Sequence, residues 1–151
     1  MNKFDETYLN LLRKVRNDGF WVHNERTGKR CQTILGDMAK YDLSDDTFPL
    51  FTTRKSFTKG MIAELLGFIR AKDNAKDFRN LGCNFWDNNA NKSKHWVENI
   101  NRKGEDDLGR IYGVQMREWT NFQGNKIDQL KMVIDKLNNK TDDRRLIVMN
   151  W

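Results

Sequence analysis

The feature that most constrains this chain is Asp142-Asp143-Arg144-Arg145-Leu146-Ile147-Val148-Met149-Asn150-Trp151, where two adjacent arginines run into an apolar, β-prone segment. A bounded apolar run of this length fits a buried strand, whereas termini are usually polar and loose. The expectation is an α+β core in which 146–151 is a central strand of a mixed sheet flanked by helices, incomplete at its C-terminal end. Arg144 and Arg145 stand where a loop meets that strand. Paired guanidinium forks there suit an anion; the alternative is a pair of salt bridges to Asp142 and Asp143.

The 151 residues suffice for one domain over 1–151 with a real core. Only 38% are hydrophobic, but five tryptophans and nine phenylalanines oppose disorder. No segment approaches the ~18 apolar residues of a membrane span, and Met1-Asn2-Lys3-Phe4 lacks the flank and apolar run of a signal peptide. Cys31 and Cys83 are isolated, which suits a reducing cytoplasm. His23 and His95 lack ligand spacing, so no metal is expected. The net charge of +6 favours an anionic partner. Nucleic acid and phosphorylated small molecules are both candidates; the basic residues are interspersed with acids rather than massed as a nucleic-acid footprint, and a lysine-rich solvated surface accounts for most of the charge.

Helical periodicity predicts a helix over 5–18, stopped by Gly19, and strands over 31–35 and 38–43. Residues 48–53 read as a short extended piece. A helix over 58–71 is apolar nearly all round, so it is expected to be buried on most sides. A shorter helix covers 75–81, a polar surface insertion about 88–106, and a last helix 126–139.

Glu64 lies within the apolar helix, where carboxylates rarely go unpaired. Gly60 and Gly67 on its face leave room for a ligand or a close backbone; a solvated stripe or a structural arginine are the other readings. Arg26 sits in the glycine-containing turn Glu25-Arg26-Thr27-Gly28, suited to a phosphate or simply exposed. Phe85 and Trp86 could wall a pocket for a flat ring, or pack in the core. Tyr112, between Gly109 and Gly113, could offer a hydroxyl. The same segment lacks the lysine and hydroxyl residue of a P-loop.

In order, Glu25-Arg26-Thr27-Gly28, Phe48-Pro49-Leu50-Phe51-Thr52-Thr53-Arg54-Lys55, Ala63-Glu64-Leu65-Leu66-Gly67-Phe68-Ile69, Trp86-Asp87, Asp107-Leu108-Gly109-Arg110-Ile111-Tyr112-Gly113-Val114-Gln115-Met116-Arg117, Ile127-Asp128-Gln129-Leu130 and Asp143-Arg144-Arg145-Leu146-Ile147-Val148 resemble thymidylate synthase. The resemblance covers the whole chain but only about the first half of that family's length. It implies the family's fold, and reductive methylation of dUMP to dTMP with 5,10-methylenetetrahydrofolate as co-substrate. It further implies a homodimer in which Arg144 and Arg145 reach the partner subunit's phosphate site, while Arg26 grips the phosphate of its own. By the same resemblance Glu64 is the proton-relaying acid, and Tyr112 lies in the active-site tyrosine motif. Phe85 and Trp86 line the pterin side, and Arg54 and Lys55 lie near the folate's anionic tail.

The departures thin the cofactor side more than the phosphate side: Phe57, Gly67 and Met116 replace a frequent histidine and two frequent tryptophans, while at the phosphate loop Lys29-Arg30 replaces the small residues that commonly follow the Arg-Thr-Gly turn. The family's nucleophilic cysteine, in a Pro-Cys-His motif further along, has no counterpart here. Covalent attack needs a thiolate, so the expectation is an N-terminal portion inactive alone. Two other readings remain: a non-catalytic relic binding nucleotide, a synthase subunit or nucleic acid, and part of a dUMP or dCMP hydroxymethylase.

Overall fold

The computed structural model describes residues 2–139 and 142–150; the Trp151 end of the expected final strand lies outside them. The chain divides into two compact units, Met1–Ser56 and Phe57–Trp151. Helices alternate with small antiparallel sheets, an α+β arrangement.

The first unit opens with α1, Lys3–Asp18. It starts two residues before the apolar periodicity because Asn2 and Asp5 form a reciprocal capping box. Asn2 Oδ1 accepts from the Phe4 and Asp5 amides, and Asp5 Oδ2 accepts from Asn2 N at 3.0 Å. Gly19 ends the helix by turning extended, donating its N–H to the Val15 carbonyl.

Strand β1, Phe20–Asn24, then pairs with β2, Lys29–Thr33, across a turn closed by Gly28 at φ +65°. The strand expected over 31–35 is therefore shifted towards the turn. Phe20 is the first residue of β1 and lies opposite Thr33, so residues 34 and 35 have no partner, and Leu35 is 97% exposed. No strand forms over 38–43. Instead Tyr41 packs its ring towards Phe4 and Phe51, and Phe51 stacks on Tyr8 at 4.8 Å between centroids.

The extended 48–53 piece is tied to α1 by one buried carboxylate. Asp5 accepts from Thr52 N at 2.6 Å and Thr52 Oγ1 at 2.5 Å, while Asn2 Nδ2 donates to the Leu50 carbonyl. The Thr52 hydroxyl leads the interactions that hold the Asp5 carboxyl below the usual carboxylate range, against an opposing effect of burial. A depressed folded-state pKa stabilises above the unfolded value of about 4 and is lost as pH falls through the folded one. Asp5→Asn should thus lower the urea midpoint at pH 7, with the gap to the parent chain closing below about pH 4; a pH-independent gap would refute this account.

The second unit is built on α2, Thr58–Ile69. Gly60, Ala63 and Gly67 form its buried stripe. Against it lies Phe78 of α3, Ala75–Leu81, which is capped by Asn74 and closed by Gly82 at φ +98°. Phe78 and Cys83 are fully buried with Ala63, and Phe68, Leu81, Trp86 and Leu108 pack around them. Contrary to expectation, α2 is not buried on most sides: Ile62 and Leu65 are each 54% exposed, and Leu66 and Ile69 also reach solvent. One helix face is packed within the unit, while the side chains of the other remain exposed among the described residues.

The 88–106 stretch carries two short helices, α4 (Asp87–Asn91) and α5 (Lys94–Val97). Arg79 of α3 ties down α4 and the end of the stretch by donating to Asp87 at 2.7 Å and to Asp106 at 2.6 and 2.9 Å. Asn91 joins Asp106 through both its side-chain amide and its oxygen.

After α6, Tyr112–Arg117, the pair β3 (Trp119–Thr120) and β4 (Lys126–Ile127) precedes α7, Gln129–Asn138. The last helix starts three residues later than its periodicity suggests, because Lys126 and Ile127 are taken into the β pair and Asp128 caps Lys131 N. Residues 146–150 pair with no strand among the described residues. The segment has the residue types of a strand but lacks a neighbour, and a ladder cannot form without one.

An ideal Cβ on Gly67 would overlap the Phe78 ring, at 2.9 Å from Cζ. That ring is fully buried and cannot yield. Gly67→Ala should therefore destabilise the unit by about 1–2 kcal/mol, overpacking outweighing the ~1 kcal/mol helix-propensity gain. Chemical denaturation measures it, and an unchanged or raised midpoint would show that the core gives way.

Candidate active site

The second unit brings Glu64, Trp86 and Tyr112 together around Phe68, while Phe85 pairs with Phe57. Glu64 is half-buried on α2, and its Oε1 accepts the indole N–H of Trp86 at 2.9 Å. That bond selects among the readings of the helix carboxylate: its partner is an indole, not an arginine. Glu64 Oε2 takes no protein donor among the described residues, so one carboxylate oxygen is fixed and the other is left for water or a ligand.

Tyr112 is the first residue of α6, whose backbone is pressed onto α2. A Cβ on Gly113 would come within 2.7 Å of Phe68 Cα. The Tyr112 ring meets Phe68 edge-on at 5.5 Å and 88°, and Trp86 at 6.0 Å and 68°. These T-shaped contacts set edges against π faces. Phe85 makes a similar contact with Phe57 at 5.9 Å, and both rings crowd the space a Cβ on Gly60 would need. The gaps beside Gly60 and Gly67 are thus filled by aromatic rings.

Trp86 and Tyr112 open onto a cavity of about 260 Å³, shared with Asn89, Trp96, Arg110 and Asn150. Trp96 is locked there by donating its indole N–H to the Asp107 carbonyl at 2.6 Å, over Gly109 at φ +62°. Asp107 is itself buried and accepts from Gly109 N and Lys103 N. Arg110 lies over the Trp119 ring at 5.4 Å. Trp96 and Asn89 escaped the sequence reading, although a tryptophan inside a polar stretch is a signal that could have found Trp96. The Asn150 side-chain oxygen is buried without a donor, so this wall holds an unsatisfied acceptor. The cavity is small, and its aromatic lining with a few polar atoms suits a planar ring.

The anion candidates are distributed between the units. Arg26, Arg54 and Lys55 are exposed in the first; Arg26 projects from the β1–β2 turn, which Asn24 organises by accepting from Thr27 N and Gly28 N. Arg144 and Arg145 are exposed in the second. Asp143 does not neutralise them: its carboxylate pairs with Lys136 at 2.6 Å and accepts only the backbone N–H of Arg145.

Cys83 is no nucleophile in this setting. It is fully buried, and burial pushes its thiol up, away from the reactive thiolate. Cys31 is exposed on β2. A thiol-exchange reagent should accordingly titrate one cysteine rapidly in the native chain and the second only on unfolding; rapid reaction of both would refute the Cys83 packing.

Fold and cleft together define an α+β chain with an aromatic-walled pocket, one wall of which, Trp86, is held by the Glu64 carboxylate. The thymidylate synthase family profile matches residues 6–151. The chain is 55% identical to the thymidylate synthase of Vibrio atlanticus (strain LGP32) over 137 residues, 91% of this chain and 48% of that protein. It is 54% identical over the same shares to those of Shewanella loihica (strain ATCC BAA-1088 / PV-4) and Vibrio vulnificus (strain CMCP6). The chain belongs to the thymidylate synthase family. It spans about half the length of the curated relatives it matches. No described helix is long and apolar enough to cross a membrane.

Proposed function

We propose that this chain supplies the amino-terminal part of a thymidylate synthase, acting in the cytoplasm on dUMP with 5,10-methylenetetrahydrofolate, within the family's single mixed-sheet domain and as a homodimer. The observation that carries the reading is the family match over 6–151 together with the Glu64–Trp86 bond beside Tyr112. The folate co-substrate supplies the carbon and the hydride when bound. Trp86 and Phe85 would hold its pterin ring, and their indole and phenyl faces fit a flat heterocycle. Arg54 and Lys55 would meet its anionic tail.

The remaining roles are those the family resemblance implies, and each group's chemistry is compatible with its own. Arg26, on a glycine-closed turn, offers a planar fork to a phosphate dianion, and Arg144 and Arg145 add forks to the partner subunit's site. Glu64, fixed through Oε1, keeps Oε2 to order water and move a proton at the pyrimidine. The Tyr112 hydroxyl is presented by a ring held on two sides. Cys83, packed away, does not serve as the thiolate that attacks the pyrimidine, and neither it nor Cys31 lies in the family's Pro-Cys-His motif.

Calorimetric titration with dUMP tests the binding half of this reading. Arg26→Ala should weaken dUMP roughly 10- to 100-fold, the loss of charge-assisted bonds of about 1.5–3 kcal/mol, and uridine should bind no better than dUMP does to the variant. Equal affinity for dUMP and uridine in the parent chain would sink it.

A further inference from the structure

We infer that Trp96, on α5 of the polar stretch 88–106, is an aromatic wall of the planar-ring cavity and stacks on the pterin head of the folate co-substrate; this rests on the functional reading above. At Gly67 and Met116 the cofactor side is two tryptophans short of the family's frequent pattern. Trp96 lies outside every segment that carries the resemblance, yet its indole lines the same cavity as Trp86 and Tyr112.

Two edges of that indole are fixed by the backbone. Its N–H donates to the Asp107 carbonyl at 2.6 Å, and its benzo edge lies over Gly109, where a Cβ would come within 2.6 Å of Cη2. Asp107 is buried, and Arg79 anchors the neighbouring Asp106, so the support is itself held. The ring is only half-buried, and it opens onto the cavity. One carbonyl can be satisfied by a small side-chain donor. A bicyclic ring at this position adds a large flat surface for something to cover.

The other aromatic groups leave that role vacant. Tyr112 stands at 68° to Trp86, so a ring stacked on that indole meets Tyr112 closer to edge-on than face-on. Phe85 is engaged with Phe57 beside Gly60 and does not line the cavity. Among the described residues Trp96 is paired with no other aromatic ring, whereas Trp86 meets Phe68, Phe78 and Tyr112. The two indoles therefore border one space of about 260 Å³ without closing it. Asn89 and Arg110 bring an amide and a guanidinium to the same cavity. A pterin offers them a carbonyl, ring nitrogens and an amino group along its rim.

Calorimetric titration of the 151-residue chain with folic acid, and with p-aminobenzoylglutamate, which lacks the pterin, isolates the head. Folic acid should bind roughly tenfold or more tightly than the headless compound, and Trp96→Leu should remove that advantage. Gly109→Ala, which displaces the indole without deleting it, should weaken folic acid in the same way. Trp96→Phe should keep the affinity within about threefold, since a flat ring remains, while reducing the quenching of tryptophan fluorescence by folic acid. Continued protection of Cys83 certifies that each variant is folded. Equal affinity for the two compounds, folded Trp96→Leu or Gly109→Ala chains that bind folic acid as the parent does, or unaltered quenching in Trp96→Phe would each overturn the inference. dUMP is titrated into the same samples. Trp96-dependent folic acid binding without Arg26-dependent dUMP binding refutes the functional reading and leaves the wall standing; Arg26-dependent dUMP binding with folic acid indifferent to Trp96 does the reverse.

Discussion

The second unit depends on the contact between the Phe78 ring and Gly67. Because position 67 has no side chain, α3 lays a fully buried phenyl directly on the α2 backbone. Phe68, one residue further on, then reaches Phe78, Trp86 and Tyr112 with edge-on contacts of 5.5–5.9 Å. Gly113 repeats the device on the other side of Phe68, letting α6 approach backbone to backbone. Two missing β-carbons therefore set the distances among three helices. The cleft inherits its geometry from them: Trp86 and Tyr112 stand where they do because Phe68 stands between Gly67 and Gly113.

Much of this was legible in the sequence, and the reason is local. The helices over 5–18 and 75–81 were visible because periodicity and terminal glycine agree, and the Arg26 turn because a glycine closes it. Glu64 stood out as a carboxylate in an apolar helix, yet its partner could not be read: the Trp86 indole is 22 residues away in sequence. The strand boundaries failed for a non-local reason as well. Where β2 stops is decided by where β1 starts, and residues 146–150 cannot show a strand without a neighbour, however β-prone they are. Expecting α2 to be buried on most sides assumed packing partners that the described residues do not include.

The cleft's far wall shows how a polar stretch can serve a site. Residues 88–106 contribute few apolar side chains, so α4 and α5 are held by ion pairs and hydrogen bonds rather than by a core of their own. Arg79 reaches both Asp106 and Asp87; Asn91 closes the ring; Arg102 donates to the Ala90 carbonyl. The result presents Trp96 and Asn89 to the cavity. Interactions of this kind are directional, so they can fix a wall that burial alone would leave loose, and they are worth less per contact at a solvent-facing position.

That choice links both units to pH in the same direction. The Arg79 guanidinium, followed by the Asn91 amide, holds the Asp106 carboxyl down to about 2, as Thr52 holds Asp5 below the usual range in the first unit. Both groups stabilise above the unfolded carboxylate value and lose that contribution as pH falls through their folded values. Protonating acids also adds to a net charge that is already +6, so self-repulsion grows as the ties are cut. The two effects reinforce each other on the acid side. Near neutrality both ties are intact, and the two aspartates hold the 48–53 piece and the cleft wall in place.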